Sequence, residues 1–151
     1  MSDQVDFSGV ESAWQDVVKS KGGDDYLIMS YEKGSETKLK VEAKGVGGFT
    51  SIEDQLRDGV VQFIVARFAI NMHGSQIEKT CFMMYSEAGS LQPARRAVVV
   101  RHQQQLADAI KASVNIVATQ SDELTEEAVM HRLREGTTHP HAKGAAAESK
   151  E

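Results

Sequence analysis

The run Val60-Val61-Gln62-Phe63-Ile64-Val65-Ala66-Arg67-Phe68-Ala69-Ile70 limits the fold more than any other stretch. It is β-branched, aromatic and nearly all apolar, and it does not alternate as a half-solvated strand does. Such a run reads as a central strand covered on both faces. A sheet built around it needs a packed layer on each side. Asn71 to Ser75 reads as a turn, and Ile77 to Tyr85 as the strand that pairs back.

Around this pair the chain supplies further elements. Ser8-Gly9-Val10-Glu11 has capping-box spacing and opens a helix that carries Val10, Trp14, Val17 and Val18 at helical intervals to Lys19. Gly22-Gly23 ends it. Tyr26 to Tyr31 reads as a buried strand, and Lys33-Gly34-Ser35 as a turn. Thr37 to Ala43 alternates, with Leu39, Val41 and Ala43 on one side, so the two strands form a hairpin. After the flexible Gly45 to Gly48, Thr50-Ser51-Ile52-Glu53 has the spacing of a second capping box, opening a short helix to about Arg57. A long helix runs from Pro93 to about Lys111, a short strand from Val114 to Ala118, and a last helix from Thr125 to Arg134 with Ala128, Val129 and Leu133 inward. The order α-β-β-α-β-β-α-β-α makes a layered α/β or α+β fold with helices on the sheet faces. Residues 1–136 form one domain, and 137–151, without apolar period, read as a disordered tail.

The long helix begins against its own dipole. Pro93 suits the first helical position, yet Arg95 and Arg96 fall in the first turn, where cations are disfavoured by about 0.3–1 kcal/mol each. On a helical wheel Val98, Val99, Leu106, Ala109 and Ile110 gather on the side that should pack. Ala97, Val100, Arg101, Gln104, Asp108 and Lys111 gather opposite, with Arg96 on the flank and Arg95 nearer the packed side. An ordinary solvated face is one reading. An apolar knob at Val100, ringed by Arg and Gln, is also how a protein contact is built. Arg132 and Arg134 either extend that basic surface or simply suit the last turns of their helix, where cations are favoured.

Composition narrows the classes. With a net charge of −5 the chain lacks the basic balance of a nucleic-acid binder, so the cations near Arg95 are a local patch suited to a specific acidic partner. Apolar runs fall well short of the ~20 residues that span a membrane, and Met1 to Gly9 holds no signal-peptide core. The lone Cys81, inside an apolar run, reads as a small core residue and fits a reducing, intracellular compartment. Catalytic signatures are missing. Gly45 to Gly48 lacks the Gly-Lys-Ser/Thr ending of a P-loop, no nucleophile sits at an elbow, and Asp24-Asp25 and Glu126-Glu127 are solvated neighbours. His73 and His102 stand apart, and His139-Pro140-His141 has no supporting ligands, so no metal, cofactor or enzymatic activity is expected.

The order of elements, Val65-Ala66-Arg67-Phe68, Tyr85-Ser86-Glu87 through Gly89-Ser90-Leu91-Gln92, and Asp122-Glu123-Leu124-Thr125-Glu126-Glu127 resemble the actin-depolymerising-factor homology family, and within it the coactosins. The resemblance covers about Phe7 to Gly136. It implies a central five-stranded mixed sheet flanked by helices on both faces, with the third helix entering a cleft between two actin subdomains. It further implies a monomeric, non-catalytic partner of filamentous rather than monomeric actin, in the cytoplasm and cytoskeleton. A cofilin-like severing or monomer-binding protein, or a cytosolic adaptor for a different partner, are the alternatives. Coactosins use a basic residue just before the fourth strand. Here that region reads Gln76-Ile77-Glu78-Lys79, so Lys79 is either displaced from that role or replaced in it by Glu78. Ser8 resembles the regulatory Ser near the start of cofilins, although the capping-box reading is simpler. The actin-contacting residues implied are Lys79, Arg95, Arg96, Val100, Arg101, Gln104, Lys111, Arg132 and Arg134.

Overall fold

The computed structural model describes residues 4–19, 23–87, 89–120 and 123–138. Gly22 and the His139-Pro140-His141 stretch lie outside the described residues. The elements follow the anticipated order: α1 (Glu11–Val18), β1 (Tyr26–Tyr31), β2 (Leu39–Gly45), α2 (Gly48–Glu53), β3 (Gln62–Met72), β4 (Ser75–Tyr85), α3 (Pro93–Ile110), β5 (Val114–Ala118) and α4 (Glu126–Thr138).

The strands form one sheet in the order β2-β1-β3-β4-β5. β3 is its central strand, as the nearly all-apolar run requires. Every pairing is antiparallel except β4–β5, which is parallel and bridged by α3. A parallel neighbour needs a crossover connection, and α3 supplies it. One face of the sheet carries Leu27, Phe63, Val65 and Phe82 against Trp14 and Val17 of α1 and Val99, Leu106 and Ile110 of α3. The other carries Ile28, Ile64, Cys81 and Met83 against Phe49 and Ile52 of α2 and Val129 and Leu133 of α4. Helices therefore cover both faces.

Local structure departs from the sequence reading in four places. Neither capping box forms. Val10, not Ser8, occupies the α1 N-cap, no side-chain cap bond is made there, and Ser8 Oγ donates to Asp6 Oδ1 at 2.7 Å. Thr50 to Glu53 lies inside α2, whose N-cap is Gly47 at φ 134° and which ends at Glu53, short of Arg57. A Cβ at Gly47 would collide with Ser51 Oγ, so the glycine is needed there.

The second departure is in β2. It starts at Leu39 rather than Thr37, and its alternation is broken by a bulge: Met29 pairs with Val41 but Ile28 pairs with Ala43. Glu42 is the extra residue. An inserted residue shifts the side-chain phase by one, so Leu39 packs with α1 and α3 while Ala43 packs with α2 and α4. Val41, placed inward by alternation, is 37% exposed. Third, β3 and β4 pair to Met72–Ser75, leaving a two-residue turn at His73 (φ 53°) and Gly74 (φ 81°) instead of five turn residues. Two consecutive left-handed residues define the primed hairpin turn that suits strand twist. Fourth, α4 continues past Arg134 to Thr138, starting after Thr125, whose Oγ1 accepts from the Ala128 N–H at 3.2 Å.

Candidate partner-binding surface

Buried residues of α3 fall at Val99, His102, Gln103, Leu106 and Ile110, the i, i+3, i+4, i+7 spacing of one packed stripe. Ala109, placed on that stripe by hydropathy, is exposed, and Val98 is half-buried. His102 and Gln103 take the core side instead. The opposite side leaves Ala97, Val100, Arg101, Gln104 and Asp108 in solvent, with Arg96 half-buried on the flank. Val100, 36% exposed, is one of four exposed large apolar residues among those described. Lys111 is exposed just beyond, in the left-handed conformation (φ 59°), its N–H bonded to Ala107 O at 3.0 Å. At the other end Gln92 is extended and offers no side-chain cap, Pro93 starts the helix, and the first turn holds no acidic residue. Nothing within α3 offsets the dipole against Arg95 and Arg96.

Arg95 does have a partner inside the molecule. Its guanidinium carbon sits 4.7 Å from the centre of the Tyr31 ring. The Tyr31 hydroxyl lies 2.6 Å from His102 Nδ1, two helical turns along α3 from Arg95. Burial drives the Tyr31 hydroxyl well above its ordinary pKa of 10.0, against the pull of the Arg95 charge. The protonated hydroxyl and the ring nitrogen share one hydrogen bond across the β1–α3 seam. His102 is fully buried. Sequence reading passed over this pair, although a histidine at apolar-stripe spacing between Val99 and Leu106 was the available sign. A further tie comes from Gln105 Oε1, which accepts from the Val5 N–H at 2.8 Å.

The nine candidate residues divide between the two faces of the sheet. Arg95, Arg96, Val100, Arg101, Gln104 and Lys111 belong to α3. Lys79, Arg132 and Arg134 lie on the α2/α4 side. Lys79 is paired in register with Phe68, whose ring belongs to that core, and is half-buried. Its neighbour Glu78 turns to the other face and meets Arg67 Nε at 3.3 Å. Arg67, with only 12% of its side chain exposed, also holds Asp25 Oδ1 at 2.8 Å and the Val17 carbonyl at 2.6 Å, clamping the end of α1 to β3. Glu78 thus has a structural partner. Exposed Arg132 reaches the Asn115 carbonyl at 3.1 Å, joining α4 to β5. Arg134 is exposed.

Chemistry elsewhere is quiet. Cys81 is fully buried, and desolvation pushes its thiol up to about 12, against a small opposing effect of the Arg132 charge. A thiol so placed is a weak nucleophile at neutral pH. Among the described residues there is no cluster of three or more His, Cys, Asp or Glu able to hold a metal ion. Among the same residues no helix is long and apolar enough to cross a membrane.

A mixed five-stranded sheet between two helical layers, with one long helix showing a basic and apolar outer stripe, defines an actin-depolymerising-factor homology domain. The chain belongs to the family described as cofilin/tropomyosin-type actin-binding protein, whose profile matches residues 5–134. Among solved structures it is similar to coactosin from Entamoeba histolytica, with 22% identity and a TM-score of 0.79 over 90% of this chain and 99% of that one. It is similar to human coactosin-like protein at 14% identity and a TM-score of 0.74, over 87% and 98% of the two chains. Streptomyces griseoflavus cofilin is a third, at 17% identity and a TM-score of 0.74, over 87% and 98%. A search of curated protein sequences finds no match.

Proposed function

We propose that this protein is a non-catalytic, coactosin-like binder of actin filaments, acting as a monomer on the cytoplasmic actin cytoskeleton through the outer face of α3. The observation that carries the reading is the outer stripe of α3: Val100 in solvent, framed by Arg96, Arg101, Gln104 and Lys111. A helix that buries its other side in the core presents these groups at fixed spacing, so a partner meets them with little ordering entropy left to lose. Actin is acidic, and a basic stripe on a chain of net charge −5 steers toward such a surface without general affinity for polyanions. Arg95 contributes from the helix tip while stacked on Tyr31. Lys79, Arg132 and Arg134 form a second contact region on the α2/α4 side. The domain that ends with α4 acts as the binding unit, with no nucleic acid, metal or membrane insertion involved.

Co-sedimentation with actin filaments tests this, combined with light scattering to follow filament length. Pelleting with filaments left long supports it. Pelleting with rapid shortening points to cofilin-like severing, and failure to pellet at low salt sinks the filament reading in favour of a different partner.

A further inference from the structure

At the end of β1 the surface opens into a cavity of about 350 Å³, away from the outer stripe of α3. Its rim carries Lys33, Lys40, Arg57 and Arg95, and no acidic residue among those described lines it. These cations come from the β1–β2 turn, β2, the segment after α2 and the first turn of α3, so four separate parts of the chain converge on one opening. On a protein of net charge −5 such a concentration raises the local anion concentration by focusing the field. Among the described residues, Arg57 is the one of the four that pairs with an acid: Glu42, the bulge residue, takes its Nη2 at 2.7 Å and Nε at 3.2 Å. Arg95 uses its flat face on Tyr31, which leaves the hydrogen-bonding edge of the guanidinium for a ligand.

Two more observations point to a ligand. Ser30 lines the cavity beside these cations and adds a hydroxyl that can donate to a ligand or accept from it. Val60, Val61 and Leu91 give the same cavity an apolar wall. A cavity of this volume, apolar on one side with convergent charges on the other, is of small-molecule size. The exposed large apolar residues, Val41, Val46, Val100 and Val117, all lie outside its lining, so it offers no wedge for insertion into a lipid surface.

We propose that this cavity binds a soluble small molecule carrying two or more phosphoryl groups. Lys33 and Lys40 act as point charges, Arg57 and Arg95 as planar donors, and the Ser30 hydroxyl completes the anion cradle. The proposal shares Arg95 with the actin reading, and Lys33 and Lys40, which lie outside α3, separate the two.

Isothermal titration calorimetry of the full chain with inorganic pyrophosphate, and separately with ATP, tests it at about 0.15 M salt, where diffuse charge attraction is largely screened. Saturable one-site binding of at least one probe is the expected result. Lys33→Glu and Lys40→Glu should each weaken it about tenfold or more, while Lys19→Glu at the end of α1 leaves it unchanged. Amide shifts of Ser30, Lys40 and Val61 should follow the same titration. Binding of neither probe overturns the proposal, as does equal weakening by Lys19→Glu. Attachment only to vesicles of phosphatidylcholine and phosphatidylserine, with neither soluble probe bound, also overturns it.

Discussion

Tyr31 and His102 meet across the seam between β1 and α3, hydroxyl to Nδ1 at 2.6 Å, and Arg95 stacks on the same tyrosine ring from the helix tip. One strand residue thus fixes both the rotation of α3 about its axis and the position of its first turn. The rotation decides which side chains face solvent, so the pair positions the outer stripe without belonging to it.

Removing the hydroxyl tests that role. Tyr31→Phe keeps the ring under Arg95 but removes the hydroxyl partner of buried His102 Nδ1, a loss of about 1–3 kcal/mol. Chemical denaturation should show it as a lower midpoint with an unchanged slope. Stability equal to the native chain would mean that the hydrogen bond contributes nothing net.

Charge reversal on α3 should separate binding from stability. Arg96→Glu, in the first turn of α3 where an acid suits the dipole, is expected to weaken filament pelleting with Tm held or slightly raised, and adding Arg101→Glu should abolish pelleting. Arg95→Glu should instead lower Tm, since it removes a contact of about 0.5–2 kcal/mol with Tyr31. Native-like pelleting of the double variant would falsify α3 as the contact surface. Rising salt should weaken the native interaction, as exposed charges are screened.

Ser8 offers a test of local reading. A side-chain N-cap is worth about 1 kcal/mol, but Ser8 caps nothing and bonds to Asp6. Ser8→Ala should therefore leave thermal stability nearly unchanged. It should also raise the Asp6 pKa, which the Ser8 hydroxyl, then its N–H, holds below 3.8. Carboxyl NMR titration of Asp6 reads this directly.

The Cys81 thiol sets an alkaline limit. Its pKa rises from 9.0 to about 12 on folding, chiefly through desolvation. An acid with a raised folded pKa contributes stability that is whole below the unfolded value and is lost as pH climbs to the folded one. Stability should hold up to about pH 9 and fall between there and about 12, with a shallower fall in Cys81→Ala. At neutral pH a thiol reagent should label Cys81 only as fast as the chain opens. Rapid labelling of the native protein would contradict the burial.

Much of the fold was legible because hydropathy reports it directly. β1 and β5 begin and end where the apolar pattern does, and the run through Phe63 to Phe68, apolar but for Arg67, demanded a central, doubly covered strand. The solvated side of α3 was legible too, since Val100, Arg101 and Gln104 share a wheel position. Three things required the tertiary structure. The β2 bulge inverts which of Leu39 and Ala43 faces which core, and register with β1 alone decides it. His102 is buried because Tyr31, distant in sequence, satisfies it, and no local pattern names that partner. Lys79 and Arg132 lie across the sheet from Arg96 because strand order, not spacing, assigns faces. Sequence determines periodicity and charge, which are local properties. The partners of buried polar groups and the sharing of a face arise from contacts between distant segments, and only packing brings those together.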